Sequence, residues 1–176
     1  MVEGSIGMRS HHAASIGEGQ IGEPVTVAGW IQRRRDHGGI AFLDIRDGSG
    51  LIQVVADPAT HPEVAELRME FCVSVMGTVR RRPEGTENPD MPTGTVEIGA
   101  EEITVLSAAD ALPFMIDDRT DTDERARLRY RYLDLRRPRM AANLKARSRA
   151  TAVIRRTLDE QGFLEVETPT LINSTP

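Results

Sequence analysis

Only one cysteine, Cys72, occurs in the 176 residues, so no disulfide can form within the chain and a reducing cytoplasm is the natural setting. It lies between Phe71 and Val73 in an apolar stretch, where a packed thiol is expected rather than a reactive one. Lysine is nearly absent as well: Lys145 stands alone among 22 basic residues, a bias we attribute to genome composition rather than mechanism. No apolar run approaches a membrane span, and the N-terminus has neither the basic nor the apolar segment of a secretory signal, so no membrane partner is expected. His11 and His12 are adjacent, but no cysteine or acid stands at ligand spacing beside them. A frayed terminus is expected there, not a metal site. What the chain does have is ordinary for one or two soluble domains: 39% hydrophobic and 28% charged residues, enough to bury a core.

The net charge of −5 argues, by itself, against a nucleic-acid binder. Its distribution argues otherwise. Residues 1–107 hold nine arginines against sixteen acids, a balance of −7, whereas residues 108–176 hold thirteen bases against eleven acids, a balance of +2. Six of the nine arginines fall in two triplets, Arg33 to Arg35 and Arg80 to Arg82. An acidic body with concentrated basic patches suits selective contact with an anion better than indiscriminate coating of nucleic acid.

Residues 1–20 show no sustained hydrophobic period. Val25–Ile31 alternates as a strand, and a turn holding the first arginine triplet and Gly38-Gly39 follows it. Ile40–Arg46 and Leu51–Ala56 are the next strands, joined by Asp47-Gly48-Ser49-Gly50, a hairpin signal. Pro62–Met69 has a short helical pattern and Cys72–Val79 alternates again. Arg80–Gly94 reads as a Pro/Gly-interrupted loop, and Val96–Leu106 as a last strand, bent or bulged around Gly99. Five strands with a short helix between the third and fourth match the OB-fold barrel, whose nucleic-acid face is built on strands two and three. Residues 108–122 then read as a hinge. An acidic first turn opens a helix over Asp123–Tyr132, and Pro138 opens a longer one to about Gln161. Met140, Leu144, Thr151, Ile154 and Leu158 give that helix a packing stripe. Gly162 is placed to cap it, and Phe163–Val166 reads as a short strand. The expected architecture is mainly β, then α: a five-stranded barrel over 1–107, a hinge over 108–122 and a helical unit over 123–176.

Strands two and three carry Phe42 and Gln53, with the first arginine triplet beside them. Phe42 alternates with Ile40 and Asp44, opposite Leu43 and Ile45, which places its ring outside the core. A cationic cluster, an outward ring and an amide on adjacent strands are what single-stranded RNA recognition needs. Arginines hold phosphate, the ring stacks a base, and the amide reads a Watson–Crick edge. Alternation sends Arg33, Arg34 and Arg35 to different faces, so one or two suit RNA contacts and the remaining one a structural pair with Asp36 or Asp44. Gln53 offers one carbonyl and one amide group, the donor–acceptor pattern of a uracil edge. Taken singly, a strand phenylalanine is more often core and a glutamine more often plain surface. Their grouping favours a site.

The string from Gly29 to Asp47, with Tyr130-Arg131-Tyr132-Leu133-Asp134-Leu135-Arg136-Arg137 and Gly162-Phe163-Leu164-Glu165-Val166-Glu167-Thr168-Pro169, resembles the bacterial aspartyl-tRNA synthetases. The resemblance runs from about residue 8 to the last residue. It implies an anticodon-binding OB domain, a hinge, and the helical start of a class II catalytic domain. It also implies roles: Arg33, Arg34 and Arg35 against the anticodon loop, Phe42 stacked on the middle base (uracil), Gln53 on that base's edge, and Glu97 accepting from the first base, guanine. His37 and Gly85 match the form that charges both tRNA(Asp) and tRNA(Asn), whose anticodons differ only at the third base. Pro169 matches the end of motif 1, which builds the homodimer interface. The whole enzyme would use ATP and Mg2+ to activate aspartate before transfer to the tRNA. The family continues for several hundred residues past Pro176, and its ATP-binding motifs lie there. No catalytic residue, cofactor or metal ligand is therefore expected within this chain, which alone should be inactive. Two other readings stay open: a stand-alone OB module that binds RNA without catalysis, and a sister synthetase for asparagine or lysine. The strings fit the aspartate branch better, and a stop inside motif 1 argues against a natural stand-alone module.

Overall fold

Alternating valines start the fold. In the computed structural model, which describes residues 8–171, strand β1 runs Pro24–His37 and turns Val25, Val27 and Ile31 into the interior. It continues six residues past the end of its apolar alternation, because the arginine triplet extends the strand rather than forming the turn. The turn is Gly38-Gly39 alone, both at positive φ (60° and 80°) between the paired residues His37 and Ile40, as a two-residue type I′ connection requires. Strand β2 is Ile40–Arg46, β3 Leu51–Ala56, β4 Cys72–Arg81 and β5 Val96–Ser107. Arg80 and Arg81 thus extend β4, where a loop was expected.

The strands close into a barrel in the order β1-β2-β3-β5-β4, with β1 paired to β4 along its first half and to β2 along its second. The parallel pairing of β3 with β5 at Val54–Ile98 completes the closure. This is the expected OB order, with a 3-10 turn over Pro62–Glu66 standing between β3 and β4. Close strand approach demands a missing side chain at Gly29, where a Cβ would lie 2.3 Å from the Arg46 carbonyl oxygen. The bulge expected near Gly99 falls two residues on, at Glu101, between the pairs Met76–Glu102 and Gly77–Ala100.

Ile31, Leu43, Ile45, Ile52, Val54, Val73, Val75 and Ile98 are fully enclosed, each contributing about 1.5–3 kcal/mol by its burial. Ala13 and Ile16, from the segment before β1, join this core with Val64 and Leu67. Cys72 is half-buried beside Trp30, less enclosed than its apolar neighbours suggest.

The chain divides into two units between Leu112 and Pro113. In the second, Asp123 caps α1 (Glu124–Arg129) by accepting from the Ala126 amide at 3.2 Å. The expected single helix breaks at Tyr130, and α2 (Arg131–Asp134) follows. The Asp134 carboxylate, fully buried, gathers Arg127, Arg131 and Arg137; the Arg127 hydrogen bond, chief among the causes, holds its carboxyl below the ordinary range. Helix α3 (Pro138–Glu160) ends in a Schellman motif: Gly162, at φ 84°, donates to Asp159 O and Phe163 to Leu158 O. Two expectations differ here. No α3 side chain is buried among the described residues, so the stripe through Leu144, Ile154 and Leu158 faces outward. Residues 163–169, lacking a partner strand, form no regular structure.

Candidate nucleic-acid interface

Each barrel strand contributes one polar side chain to a continuous hydrogen-bonded series on the outer face. Asp44 of β2 accepts from Arg35 Nη2 of β1 at 2.7 Å. The same nitrogen donates to Gln53 Oε1 of β3 at 3.2 Å, and Gln53 Nε2 donates to Glu97 Oε2 of β5 at 2.9 Å. Arg80 Nε of β4 closes the series by donating to Glu97 Oε1 at 2.8 Å. Register explains the grouping, because Asp44 sits opposite Gln53, and Glu97 opposite Arg80. The large majority of buried polar groups are partnered. Gln53 and Glu97 are 5% and 2% exposed, and both are partnered.

Arg35, Gln53, Glu97 and Arg80 line a groove of about 740 Å³ with Phe42, His37 and Arg82, and Asp44 stands behind Arg35. Phe42 is half-buried on the outer face while Leu43 and Ile45 point inward, as alternation requires. Burial pushes the Asp44 carboxyl above its ordinary range, and Arg35 opposes that rise without cancelling it. Burial likewise lowers Arg82, whose Nε is held by the Val96 carbonyl at 3.1 Å. Arg35 Nε, also buried, has no partner.

The triplet separates by face. Arg33 is exposed, opposite Asp44, and Arg35 enters the groove. Arg34 does not face the groove: it lies opposite the buried Leu43, and its Nη1 donates to the Ala65 and Leu67 carbonyls at 2.9 and 3.1 Å, closing the 3-10 turn. It also pairs with Asp36, the structural role expected for one member. His37 is exposed at the end of β1. Gly85 lies at φ 80° with open space around it, and its amide donates to Glu87 at 2.9 Å. Pro169 is exposed in the second unit, outside regular structure. Sequence reasoning named Arg82 only as part of a patch and passed over Thr86 and Asn88, which also line the groove. The loop that carries them has no period to read.

Residues 25–106 match the family model of the OB-fold nucleic acid binding domain, and residues 123–176 that of the class II tRNA synthetases for D, K and N. The chain belongs to the class II aminoacyl-tRNA synthetases. It is similar to an aspartate–tRNA(Asp/Asn) ligase of Moorella thermoacetica, 53% identical over 180 residues, all of this chain and 30% of that protein. A Halothermothrix orenii protein of the same name is 50% identical over 172 residues, 96% of this chain and 29% of that protein. The synthetase chain thus spans about 30% of the length of these curated relatives. Among solved structures it resembles the asparaginyl-tRNA synthetase of Pyrococcus horikoshii complexed with asparaginyl-adenylate. That match has a TM-score of 0.78 at 26% identity, over 92% of this chain and 37% of the other. An aspartyl-tRNA synthetase of Entamoeba histolytica shares the fold, with a TM-score of 0.79 at 22% identity over 89% of this chain and 38% of the other.

Among the described residues no three His, Cys, Asp or Glu side chains converge as a metal site. The carboxylates in and behind the groove, Asp36, Asp44 and Glu97, are each paired with an arginine. These residues do not fit an ATP–Mg2+ site. No described helix is long and apolar enough to cross a membrane.

Proposed function

We propose that this chain is the anticodon-reading part of an aspartate–tRNA ligase serving both tRNA(Asp) and tRNA(Asn). The observation that carries this reading is the groove in which a half-exposed ring, Phe42, stands beside a fixed amide, Gln53, and a carboxylate, Glu97. Phe42 stacks on the middle base, uracil, and Gln53 pairs with its edge. Glu97, with one lone pair left on each oxygen, accepts from the first base, guanine. Arg33 and Arg35 take the phosphate and base contacts, while Arg34 serves the barrel. The names of the 53% and 50% identical relatives support the double tRNA choice. His37 and Gly85 suit it physically, since a side-chain-free Gly85 selects no edge of the third base. In the whole enzyme, ATP would activate aspartate for transfer to the tRNA, in the cytoplasm. The region ending at Pro169 would meet a second copy of the protein.

A second reading, a synthetase for asparagine, draws on the Pyrococcus horikoshii likeness; 53% against 26% identity favours the first. Matched titrations of anticodon stem-loops differing only in a third-position C or U test the proposal. The two should bind within about 1 kcal/mol of each other. A tenfold preference for C, about 1.4 kcal/mol, would mark a strict aspartate reader and reduce His37 and Gly85 to turn residues.

A further inference from the structure

A glutamine amide is nearly symmetric in shape, its two ends differing only in which carries hydrogens. Gln53 is not free to exploit that symmetry. Arg35 Nη2 donates to its oxygen and Glu97 Oε2 accepts from its nitrogen. Turning the amide over would set its NH2 against a guanidinium and its oxygen against a carboxylate. The remaining lone pair on Oε1 and the remaining proton on Nε2 therefore meet a base in one fixed order. Uracil presents an acceptor and then a donor along the matching edge, and cytosine presents the reverse. A fixed order admits one and leaves buried polar groups unpaired against the other.

Arg35 sets this order at the oxygen end and Glu97 at the nitrogen end, so whatever holds Arg35 fixes the first of the two. Its Nε is buried without a partner, and its guanidinium donates to Asp44 and Gln53. The contact to Asp44, at 2.7 Å, is the shorter of the two and joins opposite charges. The Asp44 side chain is 13% exposed, on a strand whose flanking residues Leu43 and Ile45 are core. A carboxylate kept there, where burial pushes its proton affinity up, is costly unless it serves a fixed purpose.

We infer that Asp44 is a positioning residue for base selection: through Arg35 it locks the amide order of Gln53, so that uracil is taken at the middle anticodon position and cytosine refused. This rests on the reading of the groove as the anticodon site. Asp44 itself touches no base.

The test is fluorescence anisotropy with the full 176-residue chain and two labelled stem-loops of one sequence, differing only in a middle U or C, at one salt concentration. The wild-type chain should prefer U at least tenfold. Asp44→Ala should bring the ratio to within threefold of unity, and the near-isosteric Asp44→Asn should lower it at least threefold. In a Gln53→Ala background, Asp44→Asn should leave the ratio unchanged. If a folded Asp44 variant weakens both loops by one factor and keeps the ratio, the inference falls while the site reading stands. If the wild-type chain shows no preference for U, the reading of Gln53 falls and takes this inference with it. Trp30 fluorescence monitors folding. If Asp44→Ala unfolds, Asp44→Asn decides, and loss of fold in both would make Asp44 a structural residue and overturn the inference.

Discussion

Replacing Asp47 with asparagine should destabilise the barrel by about 2 kcal/mol at neutral pH. Asp47 opens the β2–β3 hairpin, and its side chain is only 3% exposed. Burial alone would raise its carboxyl, but the Ser49 hydroxyl (2.5 Å) and the amides of Ala13, Ser49 and Gly50 (3.0, 2.7 and 3.1 Å) outweigh that. They hold it at about 2, against an ordinary 3.8. Every tenfold change in proton affinity corresponds to about 1.4 kcal/mol between the charged and neutral forms, so the drop from the ordinary value is worth about 2 kcal/mol. The folded value is depressed, so this stability is fully present above the ordinary value and is lost as pH falls through about 2. Asp47→Ala should cost more, because it also strands the Ala13 amide, whose residue is 1% exposed, at about 1–3 kcal/mol. Trp30 is the only tryptophan and lies in β1, so urea unfolding followed by its fluorescence reports the barrel and not the second unit. With a urea slope of about 1–3 kcal/mol per M, the Asp47→Asn midpoint should fall by about 1 M at pH 7. The gap from wild type should narrow between pH 5 and pH 2. A gap that is absent at pH 7, or equally wide at both ends of that range, would refute the account of this hairpin.

Other substitutions separate binding from folding. Phe42→Ala should weaken stem-loop binding by about 1–3 kcal/mol with an unchanged unfolding midpoint, because the ring lies on the outer face; an unfolded variant would place Phe42 in the core instead. Arg34→Ala should cost about 1–2 kcal/mol of barrel stability through the Ala65 and Leu67 carbonyls, yet leave the salt dependence of RNA binding as it was. Arg33→Ala should do the reverse, holding stability within about 0.5 kcal/mol while the salt slope becomes shallower by about 0.7. If Arg34 rather than Arg33 moves the salt slope, the facing of the triplet is wrong.

Most of the barrel was legible because its strands alternate over a buried face, where a slip of one residue would expose every core side chain. Val25, Val27 and Ile31 on β1 and Leu43 and Ile45 on β2 are such positions. The ends of β1 and β4 were not, since arginines there continue the strand past the apolar signal, carried by pairing with β2 and β5. The strand expected at Phe163–Val166 fails for the complementary reason: its pattern is apolar, but strands exist only as pairs. At the site, the outward facing of Phe42 was legible from alternation, while the roles proposed for Phe42 and Gln53 come from the resemblance to known strings. The Asp44–Arg35–Gln53–Glu97–Arg80 series was not, because its members lie up to 62 positions apart and only the barrel's register joins them. Nor was the facing of Arg34, because three identical side chains in a row give no hint of which one serves the barrel.

That series also ties the site to the fold. It takes one residue from each of the five strands, and the Gln53–Glu97 link completes it only when β3 has met β5. Its formal charges, two acids against two arginines, cancel, and in the proposed reading the pull on phosphate beside the groove is left to the exposed Arg33, since Arg82 is buried. A neutral, interlocked floor beside an exposed cation divides the work. In the proposed reading, that cation supplies salt-dependent attraction that any RNA can feel, and the floor supplies a pattern that only a matching base can satisfy. A barrel opened between β3 and β5 would keep the arginines and lose the pattern. Partial unfolding should therefore degrade selectivity among bases before it abolishes affinity for RNA.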